Sequence, residues 1–159
     1  MTYSLVIDGW KRNIRFSAAH VLPGHEKCSR LHGHIYALYL RLEAESLPSS
    51  GMIMDFSVLT QALHTITGKL DHKMLVPEKH PGVIINKKSV IMDIDEKHYE
   101  FPKEDCEMLP LVTITAEQLA QYCLDQLQKL IDVPDHISTI IIGVDEGYGT
   151  QAQTIWNRG

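Results

Sequence analysis

The sequence predicts an α+β fold in which an antiparallel sheet carries both helices on one face. Three observations predict it. Strand-like alternation opens and closes the chain, two amphipathic helical stretches lie between, and a segment of different character, 76–111, separates those helices. The order β-β-α-(excursion)-α-β-β follows, with no internal period that would signal a repeat architecture.

Ser4–Ile7 and Lys11–Val21 read as strands, with Asp8-Gly9 as a turn or bulge between them. Leu31–Glu45 is the clearest strand. Leu31, Gly33, Ile35, Ala37, Tyr39 and Arg41 take one face, and His32, His34, Tyr36, Leu38, Leu40 and Leu42 the other. Pro48-Ser49-Ser50-Gly51 is a loop. Asp55 is placed to cap a helix whose Phe56, Leu59, Leu63 and Ile66 recur at helical spacing, and Gly68 is expected to stop it before Leu70-Asp71-His72. Within the excursion, Ser89–Ile94 and Lys97–Phe101 read as a hairpin around Asp95-Glu96, closed by Pro102 and Pro110. A second helix starts at Thr115 with Glu117-Gln118 in its first turn. Its stripe of Leu119, Cys123, Leu127 and Leu130 makes Cys123 a core thiol. Ser138–Asp145 and Gln151–Trp156 are the last strands, joined by Glu146-Gly147-Tyr148-Gly149.

At 159 residues the chain is expected to be one domain, 1–159, able to bury a core without disulfides. A net charge of -5 without clustered Lys and Arg excludes a nucleic-acid surface, yet leaves room for a small anionic substrate. The longest apolar run, Ile137–Val144, is far too short to cross a membrane, and the N-terminus has no stretch of signal-peptide length. Cys28, Cys106 and Cys123 are odd in number and unpatterned, which predicts free thiols in a reducing, cytoplasmic setting.

The chemistry concentrates in residues 20–34. His32 and His34, two apart in a strand, leave the same face, and His20 joins them if its strand pairs antiparallel through the loop 22–30. Three imidazoles without a fourth protein ligand make an open zinc site, the kind that performs chemistry. Gly33 permits close approach between the two ligands, and the face around them is otherwise apolar, where unliganded imidazoles would need other partners. Cys28, beside such a cation, would be a thiolate able to act as a base. Asp71-His72 reads either as a carboxylate fixing an imidazole tautomer or as a histidine favoured by a helix C-terminus. Glu146 reads either as a solvated turn acid or as a carboxylate gripping an amidine-like edge through two hydrogen bonds. His25 is the one further histidine near this site in sequence; His64, His80, His98 and His136 read as surface or helix-face residues.

In this order, these residues resemble the 6-pyruvoyltetrahydropterin synthase / 6-carboxytetrahydropterin synthase family. The matching pieces are Phe16-Ser17-Ala18-Ala19-His20, Cys28-Ser29-Arg30-Leu31-His32-Gly33-His34, Gly51-Met52-Ile53-Met54-Asp55-Phe56, Leu70-Asp71-His72, Thr115-Ala116-Glu117 and Glu146. They span nearly the whole chain apart from 76–111. The resemblance implies a tunnelling fold: a four-stranded antiparallel sheet with two helices on one face. It also implies that subunits join sheet edges into a barrel, as trimers or stacked hexamers, with active sites between subunits. It further implies that His20, His32 and His34 hold zinc, and that Cys28 is the base or proton shuttle, supported by Asp71 and His72. Glu146 would anchor the 2-amino-4-oxo edge of a pterin, and Thr115 would line the ring pocket with nearby backbone.

The implied substrate is 7,8-dihydroneopterin triphosphate. Three residues between Cys28 and His32 resemble the carboxy type, so the expected product is 6-carboxy-5,6,7,8-tetrahydropterin of a 7-deazaguanine (queuosine-type) route, with loss of triphosphate and acetaldehyde. The alternatives are the pyruvoyl reaction, which keeps the substrate's side chain whole, an aldolase-like cleavage of dihydroneopterin, and pterin binding without turnover. Lys27 and Arg30 are candidate triphosphate contacts. The sequence departs from the family at Ala116, where relatives often carry Ser or Thr, in the long 76–111 excursion, and in Gly147-Tyr148-Gly149.

Overall fold

The long strand β3 (His32–Ala44) forms the centre of the sheet, because its alternate residues Tyr36, Leu38, Leu40, Leu42 and Ala44 are all fully buried on one side. The computed structural model describes residues 1–159. On one edge β3 pairs antiparallel with β9 (Ile137–Glu146), and β9 with β10 (Gln151–Asn157). On its other edge lie two segments end to end: β1 (Tyr3–Asp8) along Tyr39–Ala44, and β2 (Arg15–His20) along His32–Ala37. They are in effect one strand, broken by the helical turn α1 (Gly9–Arg12). These segments with β3, β9 and β10 form the expected four-stranded antiparallel core.

The break corrects one expectation. Asp8 and Gly9 start a helical turn rather than a simple turn or bulge, and the following strand begins at Arg15, not Lys11. The cause is local. Asp8 Oδ1 accepts the N–H groups of Trp10 and Lys11, offering the backbone an alternative to the ladder, and Asn13 ends the turn in the left-handed region at φ 55°.

The excursion adds strands to the same sheet. β4 (Lys73–Pro77) runs parallel to β2, and β8 (Cys106–Leu109) parallel to β4, giving a seven-stranded mixed sheet. Between them, β5 (Val83–Ile85), β6 (Ser89–Ile94) and β7 (Lys97–Pro102) form a separate three-stranded sheet. The expected hairpin turns at Asp95 (φ 50°) and Glu96 (φ 62°), both in the left-handed region that a two-residue turn of this twist requires. It rests on a second core of Val21, Met74, Val76, Val90, Met92, Ile94 and Cys106.

Helices α2 (Phe56–Leu70) and α3 (Ala116–Leu130) cover the Tyr36–Leu38 face and close a main core of 30 buried residues. Asp55 caps α2 by accepting the Ser57 N–H. The helix continues through Gly68 to Leu70, against expectation: burial of Ile66 and Leu70 outweighs the roughly 1 kcal/mol that glycine costs a helix. Thr115 caps α3 by accepting the Gln118 N–H at 3.3 Å. Leu119, Cys123 and Leu127 are buried, and burial pushes the Cys123 thiol up to about 12. Leu130 is exposed instead, and Ile131 takes its place in the core. No helix is long and apolar enough to cross a membrane.

The opposite face of the sheet carries no long helix and exposes Val6, Ile35 and Ile155. There the buried Asp145 accepts Trp10 Nε1–H and Gln151 Nε2–H, each at 2.6 Å. Tyr148 packs edge-on against Trp10, with centroids 5.8 Å apart.

Candidate metal centre and adjoining groups

His20 ends β2, His32 begins β3, and the two are register partners, so their side chains share a face. His34 follows two residues later on the same face. Ring centroids lie 4.5, 5.2 and 5.0 Å apart for the 20–32, 20–34 and 32–34 pairs, and one nitrogen from each falls within 4.8 Å of the others. Gly33 is the close approach foreseen in the sequence. A Cβ there would stand 2.9 Å from the Ala18 carbonyl oxygen of β2, so a side chain would push the two ligand-bearing strands apart.

The hydrogen bonds around the rings show what this group fits. His20 Nδ1 lies 2.8 Å from the Ile114 carbonyl and His32 Nδ1 2.7 Å from the Arg30 carbonyl. A carbonyl only accepts, so both Nδ1 atoms carry the proton and both Nε2 atoms present lone pairs. Those lone pairs face each other at 3.0 Å, an arrangement that is unfavourable without positive charge between them. Two ligands of a tetrahedral site with metal–nitrogen bonds of about 2.0–2.1 Å stand roughly 3.3 Å apart, close to the separation found. Carbonyls orienting the distal nitrogens are the usual support of metal-bound imidazoles. Burial, reinforced by His32 and His34, holds His20 down to about 4 despite its bond to Ile114, so it is neutral at pH 7. The donor set fits a divalent metal with an open position.

Tyr36 is the functional candidate that sequence reasoning passed over. It is the next residue on the His32–His34 face and its hydroxyl lies 3.4 Å from His20 Nε2. Burial pushes its phenol above the ordinary value, and the nearby Glu146 carboxylate adds to the shift. Glu146 ends β9 directly opposite Tyr36. Its Oε1 is buried without a hydrogen-bond partner, which is costly for a carboxylate oxygen and marks an acceptor open to a donor. Strand geometry puts the backbone positions of Glu146 and His34 roughly 8 Å apart. Glu146 shares a cavity of about 190 Å³ with Ala116, Glu117 and Gln151. Thr115 spends its hydroxyl on the α3 cap and lines a different hollow, of about 510 Å³, with Pro23, His25 and His80.

The remaining groups are placed apart. Cys28, free and half-buried, sits in the loop between His20 and His32, outside the three-nitrogen cluster. Asp71 Oδ1 accepts the Ser17 N–H at 2.7 Å, and this bond, more than that from His72, holds its carboxyl below the usual range. His72 Nδ1 lies 2.9 Å from Asp71 Oδ2, and its side chain is 84% exposed. His72 borders a shallow depression with Ser17, Ala19, Gly33, Ile35 and also His34 of the imidazole cluster. The fold thus joins Asp71 to His72 and His20 to His32 and His34, without bringing Cys28 to either group.

A profile of the family described as 6-pyruvoyl tetrahydropterin synthase matches residues 10–153. The chain is 31% identical over 152 residues to a Methanocaldococcus jannaschii protein provisionally named a 6-carboxy-5,6,7,8-tetrahydropterin synthase, and the match covers 93% of both proteins. It is 27% identical to the 6-carboxy-5,6,7,8-tetrahydropterin synthase of Bacillus subtilis, covering 82% of this protein and 72% of that one. Among solved structures, Plasmodium falciparum 6-pyruvoyl tetrahydropterin synthase is similar with a TM-score of 0.89 and 26% identity, over 99% of both proteins. The Plasmodium vivax 6-pyruvoyl tetrahydropterin synthase, at 24% identity and TM-score 0.90, shares the fold.

Proposed function

The chain belongs to the 6-pyruvoyl tetrahydropterin synthase family of lyases, and from that premise we propose that it converts 7,8-dihydroneopterin triphosphate and one water to 6-carboxy-5,6,7,8-tetrahydropterin, triphosphate and acetaldehyde. The observation that carries this reading is the convergence of three imidazole nitrogens, with carbonyl partners on His20 and His32 that leave the Nε2 lone pairs of these two facing each other. The three-residue spacing from Cys28 to His32 and the names of the archaeal and Bacillus relatives support the carboxy product. The likeness to the Plasmodium falciparum enzyme along 99% of both proteins favours a second reading, elimination that keeps the side chain whole.

His20, His32 and His34 would hold zinc. When bound there, zinc supplies Lewis acidity toward the oxygens of the substrate's side chain. Glu146 accepts two N–H groups from the 2-amino-4-oxo edge of the pterin, satisfying its buried oxygen, while the neutral Tyr36 hydroxyl donates beside it. Ala116, which borders the Glu146 cavity, and the backbone that joins it to Thr115 would line the ring pocket. Cys28 removes a proton from a carbon of the substrate, and the electron pair left behind expels triphosphate. His72 relays the proton, with Asp71 ionised to stabilise the imidazolium.

Asp71 and His72 pair with each other just after α2, whereas Cys28 lies on the loop between β2 and β3 and forms no group with them. This separation supports a site completed between copies, in a trimer or hexamer. The unpaired outer edge of β10 is available for the joining. The whole chain, 1–159, would act as one domain, and its three free cysteines suit a cytoplasmic setting.

The test is incubation of zinc-loaded protein with 7,8-dihydroneopterin triphosphate and identification of the products by mass spectrometry. A carboxypterin with acetaldehyde supports the proposal, and a pyruvoyl pterin supports the second reading. Glycolaldehyde, or tight pterin binding without turnover, overturns both.

A further inference from the structure

We propose that the tip of the β6–β7 hairpin holds the Cys28 loop in its working conformation, making Lys97 and Asp95 positioning residues for the thiol. The inference rests on the reading of Cys28 as the proton-transfer group. The loop from Val21 to Leu31 has no regular structure, and most of its hydrogen bonds are its own: Leu22 N–H to the Cys28 carbonyl at 2.9 Å, Ser29 N–H to the His25 carbonyl at 2.8 Å, and Cys28 N–H to His25 Nδ1 at 3.0 Å. These fold the loop on itself but do not fix it to the body of the protein.

Apart from the His32 ring on the Arg30 carbonyl where the loop enters β3, its side-chain ties to the body come from one place. Asp95 Oδ2 accepts the Gly24 N–H at 2.6 Å, and Lys97 Nζ donates to both the carbonyl and the hydroxyl of Ser29, at 3.1 Å each. The ties flank Cys28, one four residues before it and one on the residue after. Ser29 is buried, so its polar groups need partners, and an ammonium with three donors supplies both.

The tip is itself well anchored. Val90, Met92 and Ile94 of β6 pack in the second core together with Val21, the residue that follows His20. The hairpin is therefore fastened at the origin of the loop and reaches across to Ser29. This gives part of the 76–111 segment a role at the site without contact to substrate. A loop released by even about 1 Å would misplace the thiol enough to cost on the order of 100-fold in rate.

Lys97→Met and Lys97→Arg are compared with the wild type for kcat, KM, zinc content and the rate at which iodoacetamide alkylates Cys28. Cys106 and Cys123 are buried and should stay unlabelled. The methionine variant is expected to lose roughly 10- to 100-fold in kcat, with KM and zinc content little changed and Cys28 alkylation altered several-fold. The arginine variant should recover most of the loss. Asp95→Gly, which suits the left-handed turn and removes the acceptor, tests the other tie if the methionine variant folds poorly. Unchanged Cys28 alkylation in both Lys97→Met and Asp95→Gly overturns the inference, whatever the activity. Wild-type kcat in Lys97→Met alongside an inactive Cys28→Ala overturns it too, and leaves the role of Cys28 standing. Elimination retained by Cys28→Ala defeats the role of Cys28 instead, and alkylation alone then decides whether the hairpin holds the loop.

Discussion

His20 is the most constrained residue of the site: fully buried, one nitrogen committed to Ile114 and the other aimed at His32. Replacing His32 by Ala removes one of three ligands and is expected to reduce bound zinc at least about 100-fold in affinity, measured by metal titration against a chelator. In metal-free protein, the His20 pKa of about 4 lies below the ordinary 6.5, so the unfolded chain binds the extra proton between those values. Stability is therefore full above pH 6.5 and falls as pH drops toward 4, by on the order of 3 kcal/mol. Urea unfolding across that range should show the slope, and His20→Asn should lose it. The triad was legible in the sequence because a period of two fixes its face. The carbonyls of Ile114 and Arg30 were not, since backbone partners carry no residue signature. Tyr36 was legible by the same period and was read only as one more residue on that face.

Between elements, the close contact of β2 with β3 decides whether the ligands meet. Gly33→Ala would put a Cβ 2.9 Å from the Ala18 oxygen and is expected to cost about 1–3 kcal/mol and weaken zinc binding. Gly68→Ala, where a Cβ meets open space within α2, should instead gain up to about 1 kcal/mol. Chemical denaturation of the two variants checks the opposite signs. The contrast shows why one glycine was read well and the other badly. Gly33 is read from its place between two histidines on a strand, where close approach is needed, whereas Gly68 is read from helix propensity, which burial of Leu70 overrides. β4 and β8 escaped notice because they are short and pair in parallel with partners remote in sequence, leaving no hairpin signal. α1 escaped because one helical turn is too short to show a period.

For the molecule as a whole, a site shared between copies predicts complementation. Cys28→Ala and His72→Ala are each expected to be nearly inactive. Denatured together at equal ratio and refolded, they should recover about a quarter of wild-type activity, since random mixing leaves that share of sites with both groups intact. No recovery in a confirmed oligomer would place both groups in one copy. The layered architecture was legible in the sequence because four of its strands are consecutive hairpin partners or nearly so; the seven-stranded extent of the sheet was not. The contact of Trp10 with Tyr148 has an optical consequence. Tyr148 follows Glu146, the acid proposed to grip the pterin, by two positions, and the indole is bonded to Asp145 just before it. Any shift of that bend on ligand capture reaches the indole directly. Emission from Trp10, isolated by converting Trp156 to Phe, should therefore act as a built-in gauge of occupancy in stopped-flow mixing.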